Sequence, residues 1–149
     1  MAEPARETAP IVRTLEVAAP PERVFSLLTD PEQLVRWWPE AAELEPRLGG
    51  RVRMVFRGGE SVVTGEVTRF DPPRALGLTW IRGENPDVVT TIDFTLEPLE
   101  GGRSRVELVH AGWEQAPELR PLHDAGWSHF LSSLAALAEG RELDREFRP

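Results

Sequence analysis

Residues 104–139 read SRVELVHAGWEQAPELRPLHDAGWSHFLSSLAALAE, and within them the apolar spacing changes from two to about 3.6. Up to Gly112, the residues Val106, Leu108 and His110 alternate with polar neighbours, as in a strand with one buried face. From about Pro117 to Glu139, Leu119, Leu122, Gly126, Phe130, Leu134 and Leu137 follow a 3–4–4–4–3 spacing. That is one apolar stripe on a helix, widened by Trp127 and Leu131 and stopped at Gly140. The chain is therefore expected to pass from a last strand into one long C-terminal helix.

Upstream of this stretch the period-two pattern repeats. Gly49-Gly50 opens a β region in which Arg51–Arg57 alternates, with Val52, Met54 and Phe56 on one face. Gly58-Gly59 reads as a two-residue hairpin, because its central positions call for positive φ. Ser61–Phe70 follows, and Asp71-Pro72-Pro73-Arg74 turns the chain into Ala75–Ile81, where Leu76, Leu78 and Trp80 share a face. Val88–Glu97 aligns Val88, Thr90, Ile92, Phe94 and Leu96, and Glu100-Gly101-Gly102-Arg103 makes the turn into Ser104–Gly112. Strands joined by short turns predict an antiparallel meander with one wet face.

Nearer the N-terminus, Ile11–Val17 alternates as a first strand. Pro20-Pro21-Glu22 starts a helix whose buried face is Val24, Phe25, Leu27 and Leu28, proline being suited to a first helical turn. Asp30 and Pro31 cap and start a second short helix carrying Leu34 and Val35 and ending in Trp37-Trp38-Pro39. Glu40–Leu48 is read as a variable connection. The expected order is β-α-α-β-β-β-β-β-α: an α+β fold in which a curved six-stranded antiparallel sheet wraps around the long C-terminal helix. One domain spans 11–140, between a flexible N-terminal tail (1–10) and a charged C-terminal tail (141–149).

Composition narrows the chemistry. The chain has 149 residues, a net charge of −8 and no cysteine or tyrosine, and all 17 basic residues are arginine. A phosphate-binding surface needs concentrated basic charge, so nucleic acid is not an expected partner. Without cysteine there is neither a disulfide framework nor a thiolate metal site, and without lysine there is no Schiff base. Catalysis, if present, would rest on His, Asp, Glu, Ser, Thr or bound water. No apolar run approaches the ~20 residues of a membrane span, and a cytoplasmic protein is the expectation.

A twisted, curved sheet cannot touch a straight helix along its whole length, so a gap is expected between them. The inward faces nominate its lining: Trp38, Met54, Phe56, Trp80, Ile92, Phe94, Leu108, His110, His123, Trp127 and Phe130. Tryptophan suits such a wall because it combines large apolar area with one N–H donor. At 100° per residue, His123 falls between Phe130 and Leu134 and faces the sheet, while His129 lies about 120° away at the helix edge. His123 and His129 are not spaced as an i, i+4 metal pair, no Cys pair or HExxH run exists, and no metal or cofactor is expected. The serines lack a nucleophile elbow. Glu60, Glu66, Arg53 and Arg69 are expected on the solvated convex face, and an inward-pointing charge would need a partner.

In order and spacing, the chain resembles the helix-grip superfamily of START and pollen-allergen-like ligand-binding domains (SRPBCC). Within it, the chain looks like a stand-alone bacterial member of the activator of heat-shock-protein ATPase family. The residues that carry this are 17–25 (VAAPPERVF), Arg36-Trp37-Trp38, 49–53 (GGRVR), Gly65-Glu66-Val67, Asp71-Pro72-Pro73-Arg74 and Leu78-Thr79-Trp80. To these are added 108–113 (LVHAGW) and Gly126-Trp127 with Leu131 and Leu134. The resemblance implies a ligand cavity, and hence binding of a hydrophobic or aromatic small molecule by a monomer or homodimer. A cavity of roughly 300–1,000 Å³ would be usual for such a ligand. Two alternatives share the fold: a polyketide cyclase or dehydratase using His110 or His123 as acid–base, and a protein-interaction module with a chaperone partner.

Overall fold

The computed structural model describes residues 6–141, so residues 1–5 and 142–149 of the two expected tails lie outside the described residues. The elements are β1 (Ile11–Val17), α1 (Pro21–Thr29), α2 (Pro31–Leu34), β2 (Ala41–Leu44), β3 (Arg51–Phe56) and β4 (Ser61–Asp71). They continue as β5 (Ala75–Arg82), β6 (Thr90–Leu99), β7 (Arg103–Ala111) and α3 (Arg120–Ala138). All neighbours pair antiparallel in the order β1-β7-β6-β5-β4-β3-β2. The α+β, sheet-and-helix architecture is as expected, but the sheet has seven strands rather than six. The additional strand is β2, inside the segment read as a connection: Ala41–Leu44 pairs with Val55–Val52 at the sheet's edge. Of its four residues only Leu44 is buried, so it carries no alternation to read.

Three local features shape the sheet. The β3–β4 hairpin has a four-residue loop rather than two, since Phe56 pairs with Ser61. Arg57, Gly58 and Gly59 all take positive φ there (52°, 66° and 97°), which glycine accepts freely and arginine does not. Next, β4 bulges against β5 between Val67 and Arg69, which bends the strand. Nearby, a Cβ on Gly65 would lie 2.0 Å from the Thr79 carbonyl oxygen, so only glycine lets the two strands approach here. Finally, β6 begins at Thr90 rather than Val88, because Val88 still belongs to the preceding turn, its N–H donating to Asn85 at 3.0 Å.

The helix pair α1–α2 carries the chain from one sheet edge (β1) to the other (β2) and packs on the inner face. Val24, Leu27, Leu28 and Leu34 are fully buried. Asp30 closes α1 and caps α2, its carboxylate accepting from the Glu32 N–H at 3.0 Å. Helix α3 divides into two halves. Its C-terminal half is sunk in the core, with Leu131 and Ser133–Ala138 all buried. Its N-terminal half is tied to the β1 edge by polar contacts. Arg13 donates to the Ser128 hydroxyl at 2.9 Å, to the Asp124 carbonyl at 3.1 Å and to the Asp124 carboxylate. Arg120 donates to the Ala9 and Pro10 carbonyls at 2.5 and 3.2 Å, and Arg6–Thr8 forms a single 3-10 turn beside them.

The stripe read along α3 is correspondingly displaced. Leu134 and Leu137 are buried, but Leu122 is 52% exposed, and Leu119, Gly126 and Phe130 are only half-buried. No helix among the described residues is long and apolar enough to cross a membrane.

Candidate functional site

Where the N-terminal half of α3 stands off the sheet, a cavity of about 190 Å³ opens toward the β3–β4–β5 side. Its inner wall is aromatic. Trp38 stacks on Trp80 (centroids 5.2 Å apart, planes 1° apart) and on Trp37 (5.2 Å), and tilts against Trp127 (5.1 Å). Phe56 bridges Trp80 (6.0 Å) and Phe130 (6.3 Å). Sequence position explains the gathering: Trp80 takes the inward parity of β5, Trp38 closes the turn after α2, and Trp127 and Phe130 lie three apart on α3. The exposed Arg57, Leu122 and Ala125 mark the side open to solvent.

All five tryptophans line or adjoin this region, and the N–H groups of four of them have different fates. Trp37 donates to the Leu27 carbonyl at 2.8 Å, Trp113 to the His110 carbonyl at 2.9 Å and Trp127 to His110 Nδ1 at 3.0 Å. Trp80 Nε1 is buried without a partner, the only such side-chain atom among the described residues. An unsatisfied buried donor costs about 1–3 kcal/mol, and a ligand acceptor would recover that cost.

His110 is fully buried and its protonation follows from its partners. An indole N–H only donates, so Nδ1 accepts from Trp127 and carries no proton; Nε2–H then donates to Thr90 Oγ1 at 2.8 Å. Thr90 Oγ1 passes its own proton toward the Trp80 carbonyl at 3.4 Å. Burial, and after it the neighbouring His123, hold this imidazole well below its usual range. His123 is nearer the cavity, with its ring 5.3 Å from His110 and its Nδ1–H donating to the Leu119 carbonyl at 2.9 Å. Burial lowers it too, further lowered by Arg82 and partly offset by the Leu119 bond and by Glu84.

The polar end of the cavity was not anticipated. Arg82 follows Trp80 on the same face of β5, its side chain 11% exposed, and pairs with Glu84 at 2.8 Å. Ser61 donates to the other Glu84 oxygen at 3.2 Å, and Arg57 lies 4.0 Å away. Burial pushes the Glu84 carboxyl upward, but its backbone hydrogen bond, the Arg82 charge and the Ser61 and Arg82 hydrogen bonds together hold it below its ordinary value. Arg53, Glu60, Glu66 and Arg69 all face solvent.

Of the nominated residues, the cavity gathers Trp38, Phe56, Trp80, His123, Trp127 and Phe130. It does not gather Met54, Ile92, Phe94, Leu108 or His110, which are fully buried in the core. Inward parity marks the whole concave face, and Trp38 and Trp127 cover part of it: Phe94 meets them edge-on at 6.4 and 6.0 Å. Arg57, Ser61, Val63, Arg82, Leu122, Ala125 and Gly126 complete the lining and were missed. For Arg82 the signal existed, since it shares parity with Trp80. Among the described residues no group of three or more His, Asp or Glu side chains could hold a metal ion.

Solved structures with this architecture include the Aha1 dimer from Colwellia psychrerythraea (25% identity, TM-score 0.75), of which 96% is matched by 88% of this chain. CalU16 from Micromonospora echinospora is 26% identical over 87% of this chain and 75% of its own, with a TM-score of 0.70. An HSP90 activator from Plasmodium falciparum shares the fold at 20% identity, with a TM-score of 0.71 over 87% of this chain and 95% of its own. No curated protein matches. The family described as Activator of Hsp90 ATPase homolog 1-like protein matches residues 18–139, from the end of β1 to the end of α3. With the grip of sheet on helix and more than half the chain matched, this protein belongs to that family.

Proposed function

We propose that this chain binds a small aromatic or hydrophobic molecule in the cavity beneath the N-terminal half of α3. The observation that carries the reading is the Trp38–Trp80–Trp127 wall around about 190 Å³, with the Trp80 N–H left without a partner. The size bounds the ligand. An apolar cavity of about 150 Å³ accommodates benzene, and drug-sized ligands need roughly 300–1,000 Å³. One or two rings fit this space without rearrangement, whereas a steroid or a long polyketide does not.

The test is a panel of one- and two-ring aromatics, both neutral and charged, read by melting temperature and by tryptophan quenching. At a hundredfold excess over Kd, binding stabilises the folded state by about 2.7 kcal/mol. For a chain of this length that raises Tm by roughly 5–10 °C. A panel at millimolar concentration that moves neither Tm nor emission rejects the reading.

Acid–base catalysis has less support, because both His110 nitrogens are engaged; a cyclase-like role would fall to His123. The family description and the Plasmodium relative favour a second reading, docking to an Hsp90-type chaperone. Its test is stimulation of purified Hsp90 ATPase by this chain, and unchanged turnover at saturating concentration eliminates it.

A further inference from the structure

Three donors from three places in the fold converge on one carboxylate at the cavity mouth. Arg82 at the end of β5 reaches Glu84 Oε2 at 2.8 Å, the Ser61 hydroxyl at the start of β4 reaches Oε1 at 3.2 Å, and Arg57 in the β3–β4 loop lies 4.0 Å from Oε2. Arg57, Ser61 and Arg82 line the cavity, whereas Glu84 does not. The Arg82 side chain is 11% exposed and that of Glu84 37%, so the cation is fixed in the wall while its counter-ion faces water.

Three further features mark these donors as a set aimed at something. Arg57 holds a φ of 52°, an unfavourable conformation for a side chain with a Cβ, and non-glycine strain of this kind gathers at ligand clamps. The loop is held in place from outside by the Glu40 carboxylate, which accepts from the Gly58 N–H at 3.0 Å. Trp80, whose N–H has no partner, precedes Arg82 by two residues on the same strand face, a backbone spacing of about 6.6 Å. An aromatic wall thus runs directly into a carboxylate-shaped receptor, over a length that suits one or two rings.

We propose that the cavity takes a small aromatic carboxylate, its rings against Trp80, Trp127 and Phe130 and its acid group on the Arg82, Ser61 and Arg57 donors that Glu84 now occupies. This rests on the small-molecule reading above. Glu84 is an internal stand-in for the ligand's acid, displaced toward solvent on binding.

The experiment compares 2-naphthoate with its neutral isostere 2-naphthamide, by calorimetry and tryptophan quenching, on the unmodified chain, Arg82→Gln and Glu84→Gln. On the unmodified chain the acid binds about tenfold tighter than the amide. Arg82→Gln removes that gap, and Glu84→Gln, by taking the charge off the competing group and loosening its hold on Arg82, tightens the acid several-fold while leaving the amide unchanged. Equal binding of acid and amide, or weaker acid binding in Glu84→Gln, overturns the proposal and leaves the aromatic cavity standing. Binding of neither overturns both. Should Arg82→Gln fail to fold, the acid–amide pair and the solvent-facing Glu84→Gln still decide.

Discussion

His110 has no spare atom. One nitrogen receives the Trp127 N–H, the other donates to Thr90, and the hydroxyl passes the chain on to the Trp80 carbonyl, so helix and sheet are joined by oriented bonds in the buried interior. Trp127→Phe keeps an aromatic ring, removes the donor and trims part of the buried indole. It is expected to cost about 1–3 kcal/mol, because Nδ1 is left buried and unsatisfied, and urea denaturation measures that loss as a lower midpoint. A midpoint within error of the unmodified chain would show that the bond contributes nothing. Sequence reading reached the inward parity of His110 and Trp80, since alternation is a backbone property. It could not reach what covers each of them, because coverage depends on Trp38 and Trp127, which arrive from distant parts of the chain. His110 accordingly faces inward as its parity predicts, but lies buried behind Trp127.

At the scale of elements the same limit recurs in α3 and β2. Leu122 and Leu134 belong to one stripe by spacing, yet Leu122 is 52% exposed and Leu134 is fully buried. Leu134→Ala is expected to cost about 2–5 kcal/mol, whereas Leu122→Ala should fall within about 0.5 kcal/mol. Thermal denaturation of the two variants checks the contrast, and equal losses would place the first turns of α3 in the core after all. Periodicity records which residues are apolar, not which are covered, and in these turns the sheet falls away. The strand β2 escaped notice for the opposite reason: Ala41, Ala42, Glu43 and Leu44 are assigned to the sheet by backbone pairing with β3, and their side chains carry almost no strand preference. Asp30 and the α1 face were readable because their signals are local.

For the whole molecule, the two inward histidines set how stability responds to acid. In each, burial holds the folded pKa below the ordinary value of about 6.5, so the unfolded chain binds protons that the folded chain does not. Their contribution is therefore complete above pH 6.5 and is lost as pH falls below it, by up to about 1.4 kcal/mol per pH unit for each histidine. The depressed carboxyls of Glu84 and Glu139 act in a lower window, losing their contribution only as pH falls below about 4.5. Denaturation midpoints should be level between pH 7.5 and 6.5 and decline toward 5.5, and the decline should be about halved in His110→Gln. A level midpoint down to pH 5.5 would mean that both imidazoles titrate as if unfolded.

Apart from β2, the order of elements was legible because strand and helix periods differ and the turns are marked by glycine and proline. The two-halved character of α3 was not, and it has a consequence for how this chain can diversify. Residues that hold the fold, such as Leu131, Leu134 and Ala138, occupy one end of the helix, while His123, Gly126 and Phe130 face the cavity from the other. Substitutions at His123, Gly126 or Phe130 leave the buried contacts at the other end intact. The lining of the cavity can therefore vary through a few half-buried positions, with little risk to the scaffold that presents them.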